Sequence, residues 1–386
     1  MADVFLNGFN VLTHGVIGYA VPALFVLTIV VFFHELGHFL VARWAGVKVL
    51  AFSIGFGPEL AGFNDRKGTR WKISAVPLGG YVKFFGDDSE ASTPASASLA
   101  TMTADERKVS FHHQPVSSRT AIVAAGPLAN FILAIVIFAG LFTIFGKPSA
   151  IARVDQVEAG SAAEAAGFKP GDVVTDIDGT RIENFADMQR IVSTHPGDTL
   201  TFTVTRDRST ITLRGTPTLK EIKDDFGNVH RGGMLGIRFE ATPRDVLSQP
   251  VDPLTAVWLG TKETWFVVDR TLSYIGGIFV GRESADQLGG PIRIVQISGQ
   301  VATKGLPSLI QLAAILSVSI GLLNLFPVPL LDGGHLLFYA VEAVQGKPLS
   351  ERAQEMGFRI GLALVLMLMV FVFYNDIFHL IQRGGT

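Results

Sequence analysis

Four long apolar runs divide this chain, at residues 16–41, 120–145, 309–326 and 360–374. A helix needs about 20 mostly apolar residues to cross the hydrocarbon layer of a membrane, and the first three runs reach or approach that length. The fourth reaches it only if the helix continues towards residue 380. The pattern therefore predicts a polytopic α-helical membrane protein with four transmembrane helices.

The region between the second and third runs has a different pattern. Residues 150–240 are polar and rich in turn residues, and they include the alternating strand 200–205, which predicts an inserted α+β domain. Residues 254–275 then carry apolar side chains at helical spacing, with charged residues between them. That pattern predicts an amphipathic helix on the outer membrane face or against the inserted domain.

The polar segment 46–119 after the first run contains short strand patterns. Residues 54–58 are typical of a turn, and residues 71–76 and 81–85 are predicted to form a β-hairpin around residues 77–80. The hairpin is either an ordinary loop or a strand edge that pairs with an extended substrate. On the second interpretation, the substrate-binding residues are Gly79, Gly80, Tyr81, Val82, Lys83 and Phe84.

The positions of basic residues predict the orientation in the membrane. Residues 1–42 contain no Lys or Arg, and basic residues begin at Arg43. The basic part of a cleavable signal peptide is therefore missing, and the first helix is expected to enter from outside. With four helices, both termini and the inserted domain are predicted to be extracytoplasmic.

Composition narrows the class of function. Hydrophobic residues make up 48% and charged residues 17% of the chain, and the net charge of −2 argues against nucleic acid as a partner. The sequence has no cysteine. Thiol catalysis, disulfides and thiolate zinc ligands are thereby excluded, whereas the cellular compartment is not determined.

The first apolar run contains the candidate chemistry, a His-Glu-x-x-His motif formed by His34, Glu35 and His38. On a helix the two imidazoles lie one turn apart on one face, with the carboxylate beside them. This arrangement suits a zinc hydrolase, in which two histidines bind the metal and the glutamate is the general base. Ionisable groups in a membrane-length run are costly, which favours a functional role.

Two histidines leave a zinc site one protein ligand short, and the end of the third run offers a third. Two prolines break the helix there, on the side of the membrane that the topology gives to His34 and His38. Asp332 is the preferred third ligand, and His335 is the local competitor. The adjacent His112 and His113 are interpreted as loop residues.

Two asparagines in the apolar runs have less specific interpretations. Asn324 either hydrogen-bonds the substrate backbone or joins neighbouring helices. Asn130, which follows the small residues of the second run, is interpreted as a hydrogen bonder between helices.

The inserted domain resembles a bacterial PDZ domain. The resemblance lies in a short helix at 160–167, a Gly-Asp turn at 169–174 and an Asp-Gly hairpin at 176–182, in that order, with residues 233–237 similar to the carboxylate-binding loop. It implies a groove that binds a peptide C-terminus by strand addition. Alternatively, the domain only blocks access and binds nothing tightly.

The whole chain resembles the bacterial site-two proteases, which are intramembrane zinc metalloproteases similar to the regulator of sigma-E protease. The matching motifs lie at residues 34–38, 79–83, 126–130, 290–292 and 324–334. The resemblance implies one Zn²⁺ held by His34, His38 and Asp332, Glu35 as general base, and a re-entrant hairpin that presents the substrate as a strand. The best-known relatives carry two tandem PDZ domains, whereas this chain has room for one.

The resemblance also implies substrates and a location. The substrates would be single-pass membrane proteins already trimmed by another protease, such as anti-sigma factors or remnant signal peptides, cleaved in contact with lipid in the bacterial inner membrane. The rival functions are a metal-ion transporter and a non-catalytic PDZ membrane scaffold. The predicted divisions are the first helix (1–45), the cytoplasmic segment (46–119), the second helix (120–146), the PDZ domain (150–240), the amphipathic helix with the Gly-Pro-Ile loop (250–306), the third helix (307–345) and the fourth helix (358–380).

Overall fold

The computed structural model describes residues 17–87, 101–148, 151–223, 229–239, 248–281, 285 and 288–384. The predicted divisions that begin at residue 1 or cross the gaps therefore lie partly outside the described residues. The chain forms two compact units. A helical unit comprises residues up to Phe138, Gly260–Val268 and residues from Leu288 onwards, and an α+β unit comprises Ala139–Leu259 and Asp269–Gln287.

The helices and strands of the described residues are numbered in chain order. The helices are α1 (Gly18–Trp44), α2 (Ala104–Val109), α3 (Val116–Phe145), α4 (Ala162–Ala165), α5 (Phe185–Thr194), α6 (Pro253–Phe279), α7 (Pro291–Ala302), α8 (Leu306–Asn324), α9 (Asp332–Gln345) and α10 (Glu351–Gly384). The strands are β1 (Val49–Asn64), β2 (Arg70–Phe84), β3 (Lys147–Pro148), β4 (Gln156–Val157), β5 (Val173–Ile177), β6 (Thr180–Arg181), β7 (Leu200–Arg206), β8 (Ser209–Gly215), β9 (Thr218–Lys223), β10 (Val229–Met234), β11 (Ile237–Arg238) and β12 (Ser248–Gln249).

Within the described residues, four helices are long and apolar enough to cross a membrane, which confirms the predicted number. They are α1, α3, α8 and the Arg352–Phe378 part of α10. The fourth is much longer than its apolar core, because the charged residues at its start are good helix formers that extend the helix without being apolar. The third begins at Leu306, where Pro307 suits the first helical turn, and ends at Asn324, shortly before Pro327.

The segment after α1 forms an antiparallel sheet whose pairing differs from the predicted hairpin. Residues 71–76 and 81–85 do not pair with each other, because residues 51–54 of β1 lie between them. Ser53 pairs with Lys72 on one side and with Tyr81 on the other. Strand pairing is a long-range choice, so the local pattern identified extended residues without identifying their partners.

The predicted turn at residues 54–58 is a bend within a continuous strand. Gly55 and Gly57 have φ values of 88° and 84°, a conformation that glycine adopts without steric cost. The bend lets the second half of β1 pair with the other side of residues 70–74, where Phe63 opposes Trp71. The order of the segments across the sheet is therefore 61–64, 70–73, 51–54 and 80–84, and residues 80–84 form one edge of the sheet.

The sheet is fastened to the end of α1 by a carboxylate. Asp65 accepts hydrogen bonds from the backbone N–H groups of Lys67 and Thr69, from Trp71 Nε1 and from Arg43. Burial alone would raise the pKa of Asp65, but these donors outweigh it and hold the pKa at about 2. The charged carboxylate therefore ties the β1–β2 turn to the last turn of α1.

The α+β unit is built on a four-stranded antiparallel sheet in the order β6-β5-β7-β8. Its core contains Phe202, Val204, Val174 and Ile177, all at most 1% exposed. Buried residues alternate with less buried ones along β7, as a strand with one buried face requires, whereas β5 has a register shift between Val174 and Asp176. Strand β3 pairs with β12, so the two ends of the inserted segment lie side by side.

Residues 254–275, predicted as an amphipathic helix, lie within α6. The side chains of Ala256, Thr264 and Val268 are buried, whereas Trp258 and Trp265 are 60% and 68% exposed. Asp252 begins the helix by accepting hydrogen bonds from the backbone N–H groups of its first turn.

Candidate metal centre

Helix α1 brings the two histidines of the His-Glu-x-x-His motif together. His34 and His38 are one turn apart, and their Nε2 atoms lie 3.3 Å from each other. Their rings meet edge to face with centroids 4.8 Å apart. The two nitrogens therefore converge on one point beside α1, as the spacing predicted.

The irregular segment after α8 delivers the third group. Leu330 has a φ of 116°, and the chain turns so tightly that a Cβ on Gly333 would lie 2.2 Å from the carbonyl oxygen of Phe326. The turn places Asp332 at the start of α9, with Oδ2 3.2 Å from Nε2 of His34 and 3.5 Å from Nε2 of His38. The proline-rich segment after α8 thus positions the side chain of Asp332, which belongs to the next helix, α9.

The three groups have the geometry of a zinc site. A tetrahedral zinc ion with bonds of about 2.0–2.1 Å would separate its ligand atoms by about 3.3 Å, which matches the observed 3.2–3.5 Å. Oδ2 of Asp332 is buried and accepts no hydrogen bond. Within the described residues, His34, His38 and Asp332 form the group able to hold a metal ion, and His335, the alternative ligand, is not part of it.

His38 is fixed by its surroundings on α3. Its Nδ1 lies 2.9 Å from the carbonyl oxygen of Ile122, an atom that only accepts hydrogen bonds. Nδ1 therefore carries the proton, and Nε2 presents its lone pair to the site. Gly126 makes room for the ring, because a Cβ there would lie 2.2 Å from Nε2.

His34 has a different partner. Its Nδ1 lies 3.3 Å from Nδ2 of Asn130, which is fully buried on α3. The backbone oxygen of Asn130 accepts a hydrogen bond of 2.9 Å from Ser317 of α8. The predicted contact of Asn130 between helices is thus present, and its side chain also contacts a candidate metal ligand.

A cavity of about 240 Å³ lies at the site. It is lined by His34, Glu35, His38, Gly80, Tyr81, Val82, Phe84, Phe111, Val123, Asn324, Leu330, Leu331, Asp332, His335 and Tyr339. Among the predicted substrate-binding residues, Gly79 and Lys83 are not part of this lining. Gly79 instead lies under the Phe56 ring, where a Cβ would come within 2.4 Å of that ring.

Several residues around the site were not identified from the sequence. Phe111, Val123 and Tyr339 line the cavity, but they are separated along the chain and form no local motif.

Away from the cavity lining, Asp376 of α10 accepts hydrogen bonds from the backbone of Gly290 and Ile292, at the start of α7. Its position, just beyond the apolar core of the fourth helix, was the available signal. His112, in a turn as expected, lies 2.8 Å from Asp87.

Comparison with known proteins gives the class and the family. The sequence profile of peptidase family M50 matches residues 22–368, so the chain belongs to this family. A protein of Agrobacterium fabrum named as a zinc metalloprotease is 52% identical over 364 residues, which cover 94% of this chain and 97% of that protein. A similarly named protein of Mesorhizobium japonicum is 51% identical over 367 residues, covering 94% and 99% of the two chains.

A more distant relative has a similar name. The metalloprotease MmpA of Caulobacter vibrioides is 41% identical over 379 residues, which cover 92% of this chain and 94% of that protein. The protein is therefore a zinc metalloprotease whose cofactor is zinc, and the part of the chain that the structure describes contains four membrane-length helices. These findings favour the predicted enzyme over the transporter and the non-catalytic scaffold.

Proposed function

We propose that the protein is an intramembrane endopeptidase of the site-two type, which cleaves transmembrane segments of single-pass membrane proteins during regulated intramembrane proteolysis. The observation that carries the proposal is the convergence of His34, His38 and Asp332 in a cavity that also contains Glu35. These groups come from α1, which is a membrane-length helix, and from the start of α9, which follows shortly after the third membrane-length helix ends. The reaction would thus occur next to membrane-spanning segments.

The roles of the residues follow from their chemistry. His34, His38 and Asp332 are the zinc ligands, and bound zinc supplies Lewis-acid chemistry by acidifying water and polarising a carbonyl group. Glu35 removes a proton from the water molecule that attacks the scissile carbonyl carbon. The C–N bond then breaks, and Glu35 returns the proton to the leaving nitrogen.

The segment 80–84 of β2 is proposed to bind the substrate as an added strand. A transmembrane helix hides its peptide bonds in its own hydrogen bonds, so it must unwind locally before cleavage. Pairing with a strand beside the site would offset part of that loss. Support comes from Gly80, Tyr81, Val82 and Phe84, which line the same cavity as Glu35.

Asn324 is proposed to orient the substrate backbone. It also lines the cavity, and its Nδ2 donates a hydrogen bond of 3.1 Å to the carbonyl oxygen of Ile320 within its own helix. A substrate carbonyl would compete with Ile320 for this donor. Gly79 and Lys83 do not line the cavity, so they would contribute to substrate binding only by shaping the backbone of the strand.

The α+β unit is proposed to be a single PDZ domain that receives a peptide C-terminus. The proposal is supported by the order of its elements, with α4, the β5–β6 hairpin and α5 preceding the β7–β8 pair. Residues 233–237, the candidate carboxylate-binding loop, extend from the last two residues of β10 to the first residue of β11. An extended peptide would bind there through backbone N–H groups.

We further propose a bacterial inner-membrane location with the α+β unit and both termini outside the cytoplasm. Support comes from the absence of Lys and Arg in residues 1–42 and the basic residues that begin at Arg43, by the positive-inside rule. The candidate metal centre would then lie in the cytoplasmic half of the bilayer. Anti-sigma factors and remnant signal peptides remain the proposed substrates by resemblance.

The test uses the full chain in detergent with a tagged single-pass segment. Wild type should cleave it, chelation should stop cleavage, and added zinc should restore it. Glu35→Gln should lower the rate by about 10²–10⁴-fold, the usual contribution of a general base, with zinc content unchanged. Retained turnover in Glu35→Gln would show that Glu35 is not the general base. Cleavage that survives chelation would contradict the proposed zinc-dependent mechanism.

A further inference from the structure

The side chain of Asn130 is fully buried beside the candidate metal centre, at the junction of α1, α3 and α8. Its Nδ2 lies 3.3 Å from Nδ1 of His34, whereas its Oδ1 is buried and has no hydrogen-bond partner. A buried amide oxygen without a partner is uncommon in folded proteins and calls for a physical explanation.

The protonation pattern of His34 supplies that explanation. A histidine that binds a metal through Nε2 carries its proton on Nδ1, and that N–H group normally donates to a nearby acceptor. For His38 the acceptor is the carbonyl oxygen of Ile122, at 2.9 Å. For His34 the neighbouring group is the Asn130 amide, which contains both an acceptor and a donor.

We propose that Asn130 is a positioning residue whose Oδ1 accepts the Nδ1–H of His34 and thereby holds His34 as an Nε2 ligand. The oxygen and nitrogen ends of an amide have nearly the same shape, so a half-turn about the last side-chain bond exchanges them. The exchange places the unpartnered oxygen against Nδ1–H. This inference rests on the proposed function in taking His34 as a zinc ligand.

A purely structural role for the Asn130 side chain fits the contacts less well. The hydrogen bond that joins α3 to α8 runs from Ser317 Oγ to the backbone oxygen of Asn130, which any residue at this position would provide. The amide itself is in contact with His34. The contact between α3 and α8 therefore does not need the Asn130 side chain, whereas the contact with His34 does.

The two ligand histidines are then held differently. The partner of His38 is a backbone carbonyl, which fixes one protonation pattern. The partner of His34 is an amide, which accepts from Nδ1–H in one orientation and donates to a bare Nδ1 in the other. The proposal therefore predicts that substitution of Asn130 changes zinc affinity through His34 while leaving the helix packing intact.

The test measures zinc affinity of the full chain in detergent by chelator competition, together with the absorption spectrum of the Co²⁺-substituted protein. Asn130→Leu, similar in shape but unable to accept a hydrogen bond, should weaken zinc binding by about 10–100-fold and alter the Co²⁺ spectrum. Asn130→Asp, which restores an acceptor, should bind zinc within about tenfold of wild type. Ser317→Ala, which changes only the backbone contact, should bind zinc normally.

The melting temperature of the metal-free protein separates positioning from packing. Asn130→Leu should lower the melting temperature only slightly, because it loses one hydrogen bond worth about 1 kcal/mol and keeps the backbone contact with Ser317. Wild-type zinc affinity in Asn130→Leu, or equal weakening in Asn130→Leu and Asn130→Asp, would overturn the proposal. If Asn130→Leu does not fold, Asn130→Ala carries the same expectation and the same criterion.

A separate variant distinguishes failure of this inference from failure of the proposed function. His34→Ala should lose zinc if His34 is a ligand. If His34→Ala binds zinc like wild type, the proposed ligand set falls and the role of Asn130 falls with it. If His34→Ala loses zinc while Asn130→Leu does not, the role of Asn130 alone is refuted.

Discussion

Each of the two units of the protein buries an aspartate oxygen, and of these two aspartates Asp172 accepts hydrogen bonds whereas Oδ2 of Asp332 accepts none. In the α+β unit, Asp172 is fully buried, and its carboxylate accepts hydrogen bonds from Nε and Nη2 of Arg206, at 2.6 and 2.7 Å, and from the backbone N–H of Lys169, at 2.9 Å. In the helical unit, Oδ2 of Asp332 is buried without a hydrogen bond, although two imidazole nitrogens lie within 3.5 Å.

The difference is consistent with a structural role for Asp172 and with the proposed role of Asp332 as a zinc ligand. A buried charge is tolerable when a counter-charge and hydrogen bonds compensate it, and Asp172 meets both conditions within the protein. Among the described residues, Oδ2 of Asp332 has no hydrogen-bond partner, and its charged or polar neighbours are the Nε2 atoms of His34 and His38. A zinc ion binds carboxylates and imidazoles, so it would supply the compensation that the proposed ligand Asp332 needs.

The largest expected effect is that of Asp332→Asn. An amide is a poor zinc ligand, so the variant should lose its zinc and its cleavage activity, by more than the roughly 100-fold that loss of a supporting hydrogen bond costs. Zinc content by elemental analysis and cleavage of the tagged segment measure both. A full equivalent of zinc in Asp332→Asn would show that Asp332 is not an essential zinc ligand, and the proposed difference in role between Asp332 and Asp172 would then be wrong.

Gly126→Ala tests the space that the site needs. The added Cβ would lie 2.2 Å from Nε2 of His38, so the imidazole must move. A displacement of about 1 Å in a catalytic group costs on the order of 100-fold in rate. Gly140→Ala on the same helix is the control, because a Cβ there meets no atom within 4 Å. Equal activity of the two variants would show that the His38 position is not constrained by α3.

Asp172→Asn should affect stability and leave zinc content unchanged. It removes the charge that Arg206 and the Lys169 N–H recognise, and hydrogen bonds to charged groups are worth about 2 kcal/mol. Thermal melting of the full chain measures the loss. Glu183→Gln, which removes the more exposed ion pair with Lys147, is the control and should change stability by less than about 1 kcal/mol. Loss of zinc in Asp172→Asn would contradict the structural role of Asp172.

The smallest expected effect is a pH dependence of stability through Asp172. Burial alone would raise the pKa of Asp172, but the hydrogen bonds from Arg206 and Lys169 outweigh it and lower the pKa in the folded state. The unfolded chain therefore binds the proton more readily, near its ordinary pKa of about 3.9. The stabilisation is complete above that pKa and disappears as the pH falls through the lowered folded value. Melting curves should show a steeper acid loss in wild type than in Asp172→Asn.

The local elements were largely predictable from the sequence. The apolar runs predicted four membrane-length helices, because hydrocarbon thickness sets a minimum length that few other segments reach. The spacing of His34 and His38 predicted one helix face, because helical geometry is local. Element ends were less predictable, since charged residues such as those at the start of α10 extend a helix beyond its apolar part.

The sheet after α1 shows where local pattern fails. Residues 71–76 and 81–85 were correctly recognised as extended, but their pairing was wrong because residues 51–54 lie between them. An alternating segment specifies which face is buried and leaves its partner open. Gly55 and Gly57 predicted a turn, whereas the strand bends there and continues.

The sequence by itself determined the donor types, the membrane helices and the place of Asp332 near the end of one of them, since residue chemistry and helix length are local properties. Only the tertiary structure placed Asp332, and not His335, beside the two histidines, and only it brought Ile122, Gly126 and Asn130 against them. The physical reason is that a metal site requires atoms of several helices to meet within a few ångströms. That convergence depends on packing across α1, α3 and α9, which no spacing within one helix encodes.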